Sequence, residues 1–169
     1  MRALILAGLL LPAFAVAQCP DYTSPVNTPA FTKPAKKSFR NFGNTILASV
    51  YKPWHMVHDQ MVKSGDAAVV VGKFDYDAVL HKDLEGEYVH VYLAGTGMNN
   101  WQYIGRHTTN SDGKITANIG VRPVGEYQVR MVVEGDLSTV NGYLSVVEPG
   151  RQTVLFDIDG TLTINDFEA

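Results

Sequence analysis

From residue 67 to residue 148 the side chains alternate with a period of two, the feature that most limits what this chain can fold into. AAVVVGKFDYD opens on β-branched residues. It then sets Phe74 and Tyr76 on one face against Lys73, Asp75 and Asp77 on the other, which reads as the solvated face. GEYVHVYLAG, residues 86–95, opposes Val89, Val91 and Leu93 to Tyr88, His90 and Tyr92. WQYIGRHTT, KITANIG, GEYQVRMVVEGD and STVNGYLSVVE continue the series. The turn Asn110-Ser111-Asp112-Gly113 predicts a hairpin between residues 101–109 and 114–120, with Gly113 supplying the positive φ. Five or six strands at ~10–14-residue spacing, parted by Gly and Asp turns, predict an antiparallel β-sandwich.

The N-terminus reads as a targeting segment and not as part of the fold. MRALILAGLLLPAFAVAQC carries Arg2, an apolar run from Ala3 to Leu11, and a small-x-small site at Ala15-Val16-Ala17. The run is shorter than the ~20 residues of a spanning helix. Cleavage after Ala17 is expected, which makes the protein secreted or periplasmic. Cys19 is the single cysteine, so an intrachain disulfide is excluded. A catalytic thiol is not expected in such a leader.

Residues 18–53 read as a Pro-rich linker. Pro20, Pro25, Pro29 and Pro34 recur among Thr, Ser and Asn, and Lys33, Lys36, Lys37 and Arg40 form a small basic cluster. The cluster reads either as solvated linker, the preferred reading, or as a contact for anionic lipid headgroups. Residues 42–62 are more apolar and lead into the first packed element. The net charge of −3 offers no general attraction to nucleic acid, and no basic stripe interleaved with aromatics occurs.

Some sandwich residues suggest sites. His55 and His58, three apart, could share a helix face for a metal, but no third ligand is indicated nearby. Asp75 and Asp77 lack the ligand series of a calcium loop. The Asn110–Gly113 stretch is a turn first. Trp54 and Trp101 are candidate core or interface aromatics.

After Glu148-Pro149-Gly150 the character changes. Thr153-Val154-Leu155-Phe156 is a short apolar run, as in a buried parallel strand, and it ends in Asp157-Ile158-Asp159-Gly160-Thr161. In α/β sheets ligands bind beyond the carboxyl ends of strands, and Gly160 eases the bend that lets both acids converge. Two carboxylates this close repel unless a divalent cation neutralises them, and Mg²⁺ suits an oxygen-ligand site. Asp157 could then attack phosphorus to form an aspartyl-phosphate, while Asp159 acts as general acid and then base.

FDIDGTLT resembles motif I of the haloacid dehalogenase (HAD) phosphatases. KPWHMVHD, VVVGKFDYD and YQVRMVVEGD…GYLSVVEPG resemble the lipin-type C-terminal region. Lipin phosphatidate phosphatases and membrane-associated phosphatidylinositol transfer proteins share that region, and the sandwich is more similar to the transfer-protein branch. The resemblance spans residues 52–169. It implies a mainly β fold, an immunoglobulin-like sandwich followed by the first strand of an α/β HAD-like domain. It further implies Asp157 and Asp159 as catalytic residues and Mg²⁺ ligands, with Gly160 and Thr161 at the substrate. The animal transfer-protein branch tends to lose the nucleophile; this chain keeps both acids.

The family's Ser/Thr, Lys and acidic motifs lie downstream of motif I, so the chain is expected to be a piece of a longer protein, inactive alone. The expected organisation is residues 1–17 signal peptide, 18–53 linker, 54–150 sandwich and 151–169 the start of a HAD-like domain. Two functions are expected. One is a Mg²⁺-dependent phosphatase acting on phosphatidate or a related phosphomonoester. The other is a non-catalytic module that binds phosphatidic acid, another phospholipid or a partner, with a membrane surface as a possible contact.

Overall fold

The computed structural model describes residues 26–78 and 81–152. A nine-residue helix, α1 (Phe42–Val50), comes first. The strands β1 (Met56–Val57), β2 (Gln60–Lys63), β3 (Ala67–Lys73), β4 (Asp75–Tyr76) and β5 (Lys82–Asp83) follow. Then come β6 (Tyr88–Gly95), β7 (Gln102–Thr108), β8 (Lys114–Val121), β9 (Gly125–Val133) and β10 (Thr139–Val147). The six long strands, β3 and β6 to β10, are those the alternation predicts. The mainly β sandwich expected from sequence is the fold observed.

One sheet has the order β1-β3-β8, the other β2-β10-β9-β6-β7, and β4 pairs with β5. The pairings are antiparallel except that of β2 with β10, which is parallel. The period of two explains the core. Ala68 and Val70 of β3 and Ile115, Ala117 and Ile119 of β8 face Val89, Val91, Leu93, Val129, Met131, Leu144 and Val146 of the larger sheet. Phe74, Tyr76 and Leu84 close one end, all fully buried. Burying one such side chain contributes about 1.5–3 kcal/mol, so the core is the main stabilising term.

Two expectations are corrected, and the helix-face reading of His55 and His58 fails as well. Residues 110–113 do form a tight turn: Asn110 N donates to the Lys114 carbonyl at 2.9 Å, and Gly113 has φ +65°. Yet β7 and β8 are not a hairpin, because β7 pairs with β6 and β8 with β3, in different sheets. The turn carries the chain across the sandwich.

Asp75 is buried, not on a solvated face. The β4–β5 pair folds Asp83 over it, and the Lys73 ammonium sits between them, 2.8 Å from Asp75 Oδ1 and in contact with Asp83. Burial pushes the Asp75 carboxyl up, more than Lys73 pulls it down.

His55 and His58 flank the short strand β1 on either side, not a helix face. His58 is exposed while His55 turns inward against Phe74 and Tyr76. They therefore do not converge, and no cluster of metal-ligating side chains occurs among the described residues.

Candidate interaction surface

Residues 26–41 are extended, as the prolines require, and they are held on the sandwich at several points while most of their side chains stay exposed. Trp101 Nε1 donates to the Pro29 carbonyl at 2.9 Å. Phe31 meets the Tyr92 and Trp101 rings edge-on at 5.0 and 5.2 Å. The Arg130 guanidinium lies over both Phe31 and Trp101. Trp101 is thus the aromatic that holds this segment to the outer face of the larger sheet, and the packed unit reaches upstream of residue 54.

Further along, Lys37 N donates to the Glu134 carbonyl, and the Lys37 ammonium pairs with the Glu134 carboxylate at 3.2 Å. Glu134 also receives Arg106 through two nitrogens, at 2.6 and 2.9 Å, and sits 2.9 Å from His90 Nε2. The Arg106 hydrogen bonds, with Lys37 adding to them, hold this buried acid down at about 2 despite its burial. Where the segment crosses the β9–β10 turn, a Cβ built on Gly135 would overlap the Phe39 ring. Gly135→Ala should therefore cost about 1–2 kcal/mol. Amide exchange should rise in residues 35–41 and stay unchanged in β6. Unaltered exchange there would mean that Phe39 does not rest on Gly135.

Glu87 anchors the start of α1. Its carboxylate, in a residue 2% exposed, accepts Arg40 N and Asn41 N at 2.8 Å each and Asn44 Nδ2 at 2.9 Å. Asn41 caps the helix by accepting from Gly43 N at 2.9 Å. A negative charge at a helix N-terminus is favourable, and a nine-residue helix is marginal alone, so Glu87 and packing hold it. Leu47 and Ala48 pack on the core.

The face turned away is apolar. Phe42 is 77%, Ile46 51% and Val50 66% exposed, at i, i+4 and i+8. Just past the helix, Tyr51 and Trp54 are exposed as well, Trp54 by 53%. Residues 26–58 contain Lys33, Lys36, Lys37, Arg40 and Lys52 and no Asp or Glu, in a chain whose net charge is −3. Lys33 donates to the Leu137 carbonyl, Lys37 pairs with Glu134, and Arg40 reaches the Gly86 carbonyl. Lys36 and Lys52 have no acidic partner among the described residues. Beside α1, an open cleft of about 570 Å³ is lined by Lys36, Ser38, Thr45, Ser49 and Asp136 among others. No helix among the described residues is long and apolar enough to cross a membrane.

The sequence-predicted residues Asp157, Asp159, Gly160 and Thr161 lie outside the described residues, as do Cys19 and the targeting segment. The apolar face of α1 was absent from the sequence-based candidates. Its signal was there, in the i, i+4, i+8 spacing of Phe42, Ile46 and Val50 and in the lack of acids.

Residues 53–146 match the family PITM 1-3, beta-sandwich domain. The chain belongs to this family. Human membrane-associated phosphatidylinositol transfer protein 3 is 36% identical over 112 residues, 63% of this chain and 11% of its own length. Human membrane-associated phosphatidylinositol transfer protein 2 is 30% identical over 134 residues, covering 77% and 10%. Protein retinal degeneration B of Drosophila melanogaster is 31% identical over 113 residues, covering 64% and 9%. This PITM sandwich spans about a tenth of the length of these relatives. The match supports the transfer-protein side of the resemblance and ends before Asp157. The basic residues 33–40 and α1 precede it.

Proposed function

We propose that this PITM sandwich is a non-catalytic phospholipid-binding module within a longer protein. Its family membership supports this reading, since the relatives are named for phosphatidylinositol transfer at membranes. The observation that carries it is the acid-free basic segment, which is not free linker but is fixed on the sandwich beside an exposed apolar helix face. A fixed cationic surface acts on anionic headgroups at about 1 kcal/mol per basic residue near the membrane.

Flotation of the purified chain with vesicles tests the reading. With phosphatidylcholine containing one fifth phosphatidate, the chain should float at 0.1 M salt. It should stay at the bottom with phosphatidylcholine alone and be released as salt rises, because exposed charges are screened within about 10 Å at that ionic strength. A chain that ignores phosphatidate vesicles at 0.1 M salt would remove the lipid-binding reading.

A further inference from the structure

We infer that α1 is an interfacial helix, the element that inserts into the membrane when this module binds. This rests on the phospholipid-binding reading above and adds which face is used and how. Helices that lie in the membrane interface carry a row of Phe, Ile, Leu or Trp on one side and cations alongside. Here Phe42, Ile46 and Val50 form that row, with Trp54 just beyond the helix. Trp and Tyr favour the headgroup boundary; Tyr51 follows the helix directly, and Trp54 comes three residues later, exposed with its ring beside His81.

Charge selects the occupant. The segment that bears the apolar row has five cations and no acid, whereas the chain as a whole is net negative. A second copy of this chain would bring the same row and the same cations, so like charge would oppose a symmetric pairing. An anionic lipid surface is complementary to both the row and the charge. Lys36 and Lys52, without acidic partners among the described residues, are the cations left to meet it.

Rigidity supports the assignment. An interfacial helix in an isolated peptide is ordered only on binding, and that ordering opposes association. Here the Asn41 cap and the Glu87 carboxylate fix α1 before any membrane arrives. The inner side of α1 rests on the sandwich through Leu47 and Ala48, so the exposed row points outward without refolding.

The test uses the whole chain and the phosphatidate vesicles described above. The double variant Ile46→Ser/Val50→Ser changes two exposed positions, so its thermal midpoint should match wild type while its vesicle affinity falls tenfold or more. Lys36→Ala and Lys52→Ala should each weaken binding about fivefold. A second double variant, Val69→Ser/Val121→Ser, alters exposed apolar residues on β3 and β8 and should bind as wild type does. Vesicles should also shift tryptophan emission to the blue, and Trp54→Phe should abolish the shift.

If wild type binds but the α1 double variant binds equally well with no emission shift, the interfacial role of α1 is overturned and lipid binding stands. If wild type does not bind at all, both readings fall. A chain that sediments as a dimer, with the dimer lost in the α1 double variant, would assign the row to a second copy and overturn the inference.

Discussion

Glu87→Ala should destabilise the fold by about 3 kcal/mol and loosen α1 from the sandwich. The carboxylate accepts hydrogen bonds from Arg40 N, Asn41 N and Asn44 Nδ2 in a nearly solvent-free position. Removing one partner of a buried polar group costs about 1–3 kcal/mol for each group left unpaired. Three donors would exceed the expected figure if all stayed dry. Arg40 and Asn41 are near enough to the surface for water to recover part of the loss. Glu87→Gln keeps one accepting oxygen and loses the charge at the helix N-terminus, so it should cost less, about 1–2 kcal/mol. Urea denaturation gives both values, and amide exchange of residues 40–50 reports the helix. A loss below 1 kcal/mol in Glu87→Ala would mean that packing by Leu47 and Ala48 alone holds α1. Because α1 carries the proposed lipid-facing row, Glu87→Ala should also weaken vesicle binding, although Glu87 itself is buried.

Legibility in the sequence followed the range of each interaction. Val89, Val91 and Leu93 could be assigned to the core because a strand's period is local and needs no knowledge of the partner. The Asn110–Gly113 turn was legible for the same reason, since Asn110, Gly113 and Lys114 close it among themselves. What the turn joins was not legible, because the β8–β3 partners lie between 41 (Lys73 and Lys114) and 54 (Ala67 and Val121) residues apart, and β3 competes with the nearby β7. Asp75 was assigned to the wrong environment by alternation itself, which knows nothing of Lys73 and Asp83 closing over it. The stretch around Lys33–Arg40 shows the same limit at the candidate site. Its prolines correctly indicate an extended chain, but Glu87, Trp101 and Glu134, which fix it, lie dozens of residues away. Sequence could show that this stretch is basic, not that it is held beside an apolar helix face.

The other large effect is expected in acid, and it falls on His55. Burial lowers its pKa from 6.5 to about 4, although the nearby Asp136 carboxylate and the Asp75 carbonyl favour the charged form. Its Nε2 lies 2.9 Å from Ser138 Oγ, which in turn donates to Asp136 Oδ1 at 2.6 Å. Its Nδ1 is buried with no hydrogen bond of good geometry. The folded state thus holds His55 neutral over a range in which the unfolded chain protonates it. Above pH 6.5 both states are neutral and the stability is complete. As pH falls from 6.5 toward 4, only the unfolded state gains the proton. Stability should drop by about 1.4 kcal/mol per unit, about 3 kcal/mol in total. Glu134 acts lower down. Its carboxyl is depressed to about 2, so its contribution is present above pH 4.5 and is lost only below that. The interval from 6.5 to 4.5 therefore separates His55 from Glu134. His107, also lowered by burial, adds to the slope in that interval and remains in any His55 variant. Chemical denaturation of wild type and His55→Gln at half-unit steps from pH 7.5 to 4.5 isolates the difference. The wild-type curve should fall more steeply by about 1 kcal/mol per unit, whatever the variant costs at neutral pH. Parallel curves would mean that His55 takes up its proton in the folded protein over the same range as in the unfolded chain, with Asp136 offsetting burial.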